Sequence, residues 1–248
     1  MMTSTPSEVT LFISCLTDTF FPGVGEDTVW LLEQCGLRVK FPVGQTCCGQ
    51  PPFNAGYHTE ACEIASHFLE VFANAEVIVT PSGSCATMLR VEYPHLFAND
   101  PHKQALAKTI ASRTYELSEF LVHVMGKTDF GGRFPGRVTY HEACHLSRGL
   151  NIREEPRQLL AQVEGLELVE MDDPDWCCGF GGAFAVKQAA ISGAMLAEKL
   201  RRIQAVAPDA VVTTDPGCIM HMAGGLQRLG QPIQVLHLAQ VISGRAYA

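Results

Sequence analysis

A doublet of adjacent cysteines followed by glycine occurs twice in this chain, at Cys47-Cys48-Gly49 and Cys177-Cys178-Gly179, and each copy lies between two further cysteines. In the first half 31 residues intervene between Cys15 and the doublet, and 36 between the doublet and Cys85. In the second half 32 intervene between Cys144 and its doublet, and 39 before Cys218. Corresponding cysteines are offset by 129 to 133 residues, so nearly one register relates the halves. The flanks repeat as well: Val79-Thr80-Pro81-Ser82-Gly83-Ser84 before Cys85 parallels Val212-Thr213-Thr214-Asp215-Pro216-Gly217 before Cys218. Such self-similarity points to duplication of one structural unit, and a unit of about 120 residues has the size of a domain. The expected organisation is a first cysteine-rich module with a linking helix over residues 1–130 and a second module over 131–248.

The hydrophobic pattern assigns these modules a fold class. Short β-branched or apolar runs at 9–13, 38–43, 76–80, 137–140, 166–171 and 210–213 predict strands. Between them, helical periodicity runs over 59–73, 103–125, 155–163 and 189–206. Alternating strands and helices predict an α/β protein of two pseudo-symmetric modules, each a small parallel sheet layered with helices. The cysteines then fall beyond the carboxyl ends of strands, where open α/β sheets bind ligands. The stretch 103–125, with the glycine-rich segment 131–136, reads as a helix and loop linking the halves.

With 47% hydrophobic residues the chain is expected to form folded cores rather than remain disordered. The formal charge of -8 opposes a general nucleic-acid binder. The first residues lack a basic leader, and no run reaches the roughly 20 apolar residues of a membrane-spanning helix. A soluble, cytoplasmic protein without a transmembrane segment is the expectation. There, ten cysteines read as thiolates, metal ligands or redox thiols rather than as a disulfide framework.

Four thiolates per module match the donor set of zinc or of an iron-sulfur cluster. The candidate metal ligands are Cys15, Cys47, Cys48 and Cys85 in the first module and Cys144, Cys177, Cys178 and Cys218 in the second. Gly49 and Gly179 would let the backbone turn so that both sulfurs of a doublet reach one centre. Cys35 and Cys62 have no counterparts in the other half and read as core residues. The string His141-Glu142-Ala143-Cys144-His145 fits the spelling of a zinc-peptidase motif, but that motif works on a helix and here it closes a strand-like run. His145 and His221 are placed near the second site, as ligands or as supporting groups. The string Gly179-Phe180-Gly181-Gly182 matches neither a phosphate loop nor a dinucleotide fingerprint. No triad or general base is recognisable.

The pattern Cys15, Cys47-Cys48-Gly49, Cys85 and its repeat Cys144, Cys177-Cys178-Gly179, Cys218 resembles the CCG, or cysteine-rich, domain family over nearly the whole chain. That family includes the heterodisulfide reductase B subunit, the glycolate oxidase iron-sulfur subunit and the anaerobic glycerol-3-phosphate dehydrogenase C subunit. Gln45-Thr46-Cys47-Cys48-Gly49-Gln50-Pro51 and Cys177-Cys178-Gly179-Phe180-Gly181-Gly182 look closest to its lactate-utilisation branch. The resemblance implies an iron-sulfur electron-transfer component, with a 4Fe-4S cluster as cofactor, in a multi-protein system that oxidises L-lactate to pyruvate. Its implied partners are a ferredoxin-like iron-sulfur protein and a third lactate-utilisation subunit. The fullest family motif ends Cys-x-x-Cys, whereas Met88 and His221 stand at those last positions here. Each site is therefore expected to use four cysteines, in an ordinary four-thiolate cluster or with zinc in one or both modules. The alternatives are a zinc-stapled docking scaffold and a thiol-disulfide oxidoreductase.

Overall fold

Strands β1 (Glu8–Leu11), β2 (Arg38–Lys40), β3 (Ile78–Thr80) and β4 (Thr114–Glu116) pair in parallel in the order β2-β1-β3-β4. Strands β5 (Arg133–Tyr140), β6 (Glu164–Leu168), β7 (Ala210–Thr213) and β8 (Gln234–His237) repeat that arrangement as β6-β5-β7-β8. The computed structural model describes residues 6–245, and the chain divides into two units after Lys127. Each unit is an α/β module with its own parallel sheet and flanking helices, as the repeat predicts.

Parallel sheets carry helices on both faces, so their central strands are apolar throughout. Every residue of β3 and of β7 is buried, whereas edge strand β2 exposes Arg38 and Lys40. In both sheets the chain leaves the first strand toward one edge and returns on its other side. This places a topological switch point between β1 and β3, and another between β5 and β7. Crevices at such points, beyond the carboxyl ends of the strands, are where α/β sheets hold ligands.

The two cores differ in composition. Phe12 packs edge-on against Phe68 with centroids 4.9 Å apart, and Phe68 stacks on Phe72 at 4.2 Å. Tyr93 closes this aromatic cluster against Phe68. Each such buried ring is worth about 1.5–3 kcal/mol of burial. The second core is built mainly from aliphatic and thioether side chains, among them Met171, Leu200, Ile203, Val211 and Met222.

Two predicted elements are corrected and one strand is added. The helix expected over 103–125 is interrupted: Pro101–Ala111 is helical, but Thr114-Tyr115-Glu116 forms β4 and completes the first sheet. Apolar residues on both sides kept the helical period running through a strand of three residues. The expected loop at 131–136 is mostly strand, because β5 starts at Arg133 and absorbs Pro135 and Gly136 at a register shift; proline tolerates such irregular positions. Strand β8 was not predicted.

Candidate metal centres

The first site is assembled by local rules at the ends of β1, β2 and β3. Ser14 caps the helix Cys15–Phe20 by accepting from the Thr17 amide at 3.2 Å, which fixes Cys15 at the first helical position. Ser82 caps Gly83–Thr87 by accepting from the Cys85 amide at 3.4 Å. Between these, Gly49 turns the doublet at φ +82° and leads into Gln50–Asn54. The sulfurs of Cys15 and Cys47 lie 3.5 Å apart, and Cys47 and Cys85 both lie close enough to the Cys48 thiol to push its pKa well up. All four sulfurs therefore form one contiguous chain. The Gly49 amide donates to Cys47 Sγ at 3.4 Å.

The second site repeats this construction. The Cys144 and Cys177 sulfurs are 4.0 Å apart, and those of Cys178 and Cys218 are 3.3 Å apart. Gly179, at φ +88°, donates its amide to Cys177 Sγ at 3.4 Å. Asp215 caps Pro216–Arg228 through the Gly217 amide at 3.1 Å and so orients Cys218. Ser192 Oγ donates to the Gly179 carbonyl at 2.8 Å, tying the doublet loop to the helix Ala189–Ala205.

Each site passes from the core to the surface. Cys48, Cys85, Cys178 and Cys218 are buried; Cys47, Cys144 and Cys177 are half-buried; Cys15 is exposed. Hydrogen bonds from Cys15 and Cys48, together with the Gly49 amide, hold the Cys47 thiol well below its ordinary range. Cys144, Cys178 and the Gly179 amide do the same for Cys177. The reciprocal effect and burial push the Cys15 and Cys144 thiols upward. Each site thus favours one thiolate, at Cys47 and at Cys177, the form that binds metal.

Cys35 and Cys62 make no contact with these sulfurs among the hydrogen bonds described. Cys35 ends the helix Pro22–Gln34, and Cys62 donates to the Leu96 carbonyl at 3.7 Å. The peptidase reading fails on geometry, since His141 follows the end of β5 and His145 opens the π-helical turn His145–Gly149. Glu142 is buried and held by Arg153 at 2.5 Å and Arg157 at 2.7 Å. His145 Nδ1 lies 3.7 Å from Cys144 Sγ, whereas His221 Nε2 pairs with Ser192 Oγ at 3.2 Å. His221 therefore braces the doublet loop.

The residue that sequence reasoning passed over is His141. Its ring nitrogens and the sulfurs of Cys178 and Cys218 form a buried group in which one ligand atom from each lies within 4.8 Å of the others. Its position two residues after Thr139, in a string set aside as a failed peptidase motif, hid its place beside the cysteines. Lys199, also fully buried, donates to the Pro174 carbonyl at 2.9 Å. The Cys218 and Cys178 charges favour its ammonium form, but burial outweighs them and lowers its pKa to about 8.

A thiolate set of this kind suits soft or borderline metals and disfavours the carboxylate-seeking ions. Around one tetrahedral ion with a metal–sulfur bond of about 2.3 Å, sulfurs stand roughly 3.8 Å apart. Three sulfur pairs, Cys15–Cys47, Cys144–Cys177 and Cys178–Cys218, have separations of 3.3–4.0 Å that bracket that edge. A polynuclear cluster requires the sulfurs to move apart.

Comparison with known proteins agrees with the repeat. The model of the cysteine-rich domain family, CCG, matches residues 9–90 and again 138–223. The chain is 48% identical over 238 residues to a protein named lactate utilization protein A from Geobacillus thermodenitrificans, covering 96% of this chain and 99% of that one. It is 49% identical over 237 residues to a protein of the same name from Shouchella clausii, with the same coverage. Lactate utilization protein A 2 of Bacillus cereus is 46% identical over 236 residues, covering 95% of this chain and 98% of its own. Among solved structures, a hypothetical protein from Helicobacter pylori superposes with a TM-score of 0.68 at 10% identity. The match covers 96% of this chain and 49% of that one, and shows a shared fold.

Proposed function

The chain belongs to the cysteine-rich domain family, and from that premise we propose that it is the iron-sulfur electron-transfer component of a multi-protein system oxidising L-lactate to pyruvate. Its proposed partners are a ferredoxin-like iron-sulfur protein and a third lactate-utilisation subunit. The observation that carries this reading is the repeated set of four converging sulfurs, each set with one edge toward solvent. The lactate substrate comes from the names of the relatives above.

The residues present fit such a centre by their donor chemistry. Cys15, Cys47, Cys48 and Cys85 would hold it in the first unit, and Cys144, Cys177, Cys178 and Cys218 in the second. When bound, an iron-sulfur cluster supplies reversible one-electron transfer. The Gly49 and Gly179 amides spread negative charge from sulfur into the backbone, a lever on reduction potential. Burial of the inner sulfurs keeps water from them, while Cys15, Cys47, Cys144 and Cys177 form the approach for a partner. Among the described residues no helix is long and apolar enough to cross a membrane.

Protein purified without oxygen is expected to contain iron and sulfide and to show broad visible absorption that bleaches on reduction. Stoichiometric zinc with no iron would overturn the electron-transfer reading. Sulfur separations matching a single tetrahedral ion favour a second reading, in which zinc staples one or both modules and the chain is a docking scaffold. The same metal analysis separates the two.

A further inference from the structure

We propose that His141 donates an imidazole nitrogen to the metal centre of the second unit, joining Cys178 and Cys218 in a nitrogen–thiolate set with no counterpart in the first. This rests on the metal-binding reading above and assigns the second site a different donor composition from its duplicate. The ligand class is a borderline transition metal, iron or zinc, that accepts both sulfur and imidazole.

The ring is fully buried, and neither nitrogen makes a hydrogen bond of normal geometry. A buried polar group left unpaired forfeits its hydration without compensation, so this arrangement calls for a partner. The neighbouring Pro174 carbonyl is already occupied, accepting from the Glu142 amide at 3.1 Å and from Lys199 Nζ at 2.9 Å. Cys178 and Cys218 lie beside the ring, with one ligand atom from each of the three residues within 4.8 Å of the others.

The duplicate supplies the control. Aligning Cys15 with Cys144 places Phe12 opposite His141. Phe12 is also fully buried, but its ring packs on Phe68 and Phe72 as ordinary core. A hydrocarbon ring fills this position in the first unit, whereas the second unit brings a nitrogen donor to it beside the cysteine sulfurs.

The test uses the full-length chain, stripped of metal and titrated anaerobically with cobalt(II), together with iron-reconstituted protein grown on 15N-histidine. Pulsed electron paramagnetic resonance then reads nitrogen hyperfine coupling directly. Wild type is expected to show coupling, and His141→Phe to lose it together with tenfold or more of the cobalt affinity at one site. The double variant His145→Gln, His221→Gln, in which a side-chain amide can keep the pairing with Ser192 while the imidazoles are gone, is expected to keep the coupling, which also preserves the test if His141→Phe does not fold. Metal bound without nitrogen coupling in wild type or in the double variant overturns the His141 assignment and leaves the metal reading intact. Coupling that survives in folded His141→Phe also overturns it. Failure to bind either metal overturns both.

Discussion

The two units share one scaffold but line their sites with opposite chemistry. Ala61 and Ile64 face Gly49 in the first unit as Ser192 and Met195 face Gly179 in the second, so the two helices align with an offset of 131. Phe68 then corresponds to Lys199, and Phe12 to His141. An edge-on aromatic pair in one unit is thus replaced by an imidazole and an ammonium in the other. All four side chains are buried. Duplication preserved the sulfur framework while the surroundings diverged, so the two sites need not carry the same centre or hold it at the same potential. A cation near thiolates favours the more negative, reduced state.

The largest effect should come from removing the inner sulfurs. Cys48→Ser and Cys178→Ser are each expected to halve the bound metal and to abolish lactate-dependent turnover of the reconstituted system, whereas Cys35→Ser should change neither. Metal analysis and turnover assays check this, and equal loss of both centres from either variant would break the independence of the units. The next contrast is in the doublet turns. A Cβ at Gly179 would stand 2.7 Å from the Ser192 carbonyl oxygen, but at Gly49 it would meet Ile64 at 3.4 Å. Gly179→Ala should cost about 4 kcal/mol and Gly49→Ala about 1–2 kcal/mol, measured by denaturant unfolding.

A third contrast lies where each sheet ends. Glu116 caps the following helix by accepting from the Ser118 amide at 2.7 Å, while at the corresponding position His237 accepts from the Ala239 amide at 3.0 Å. Burial raises the Glu116 pKa from 4.5 to about 7 against the pull of these hydrogen bonds. Its folded-state proton preference therefore contributes stability fully below pH 4.5, and that contribution is lost as the pH rises through 7. Glu116→Gln should flatten this dependence, leaving the variant up to about 3 kcal/mol better off relative to wild type at pH 8 than at pH 4. Unfolding curves across that range provide the check. The smallest expected effect is electronic: Lys199→Met should lower the potential of the second centre by on the order of 60 mV and leave the first unchanged in a redox titration.

Much of this architecture was legible in the chain. The repeat register located all eight cysteines in the two clusters, and β-branched runs located β1, β3, β5 and β7, because buried parallel strands advertise themselves by continuous apolarity. Strand β4 was hidden, since three residues set no period of their own against the helical rhythm around them. Lys199 looked like one more polar position on a long helix, and only tertiary packing shows that its stem and ammonium are enclosed. His141 was visible as a letter but misfiled with a motif whose geometry it does not share.

The strand order also dictates how a site would come apart. Cys15 and Cys85 follow the central strands β1 and β3, whose amides are paired on both sides and should exchange with solvent only on global opening. The Cys47-Cys48 doublet follows β2, an edge strand of three residues with both ends exposed. The second unit repeats this, with Cys177-Cys178 beyond edge strand β6. Fraying of one short edge would thus withdraw two sulfurs together while the other two stay in place, making the doublet the hinge of the site and the central pair its anchor.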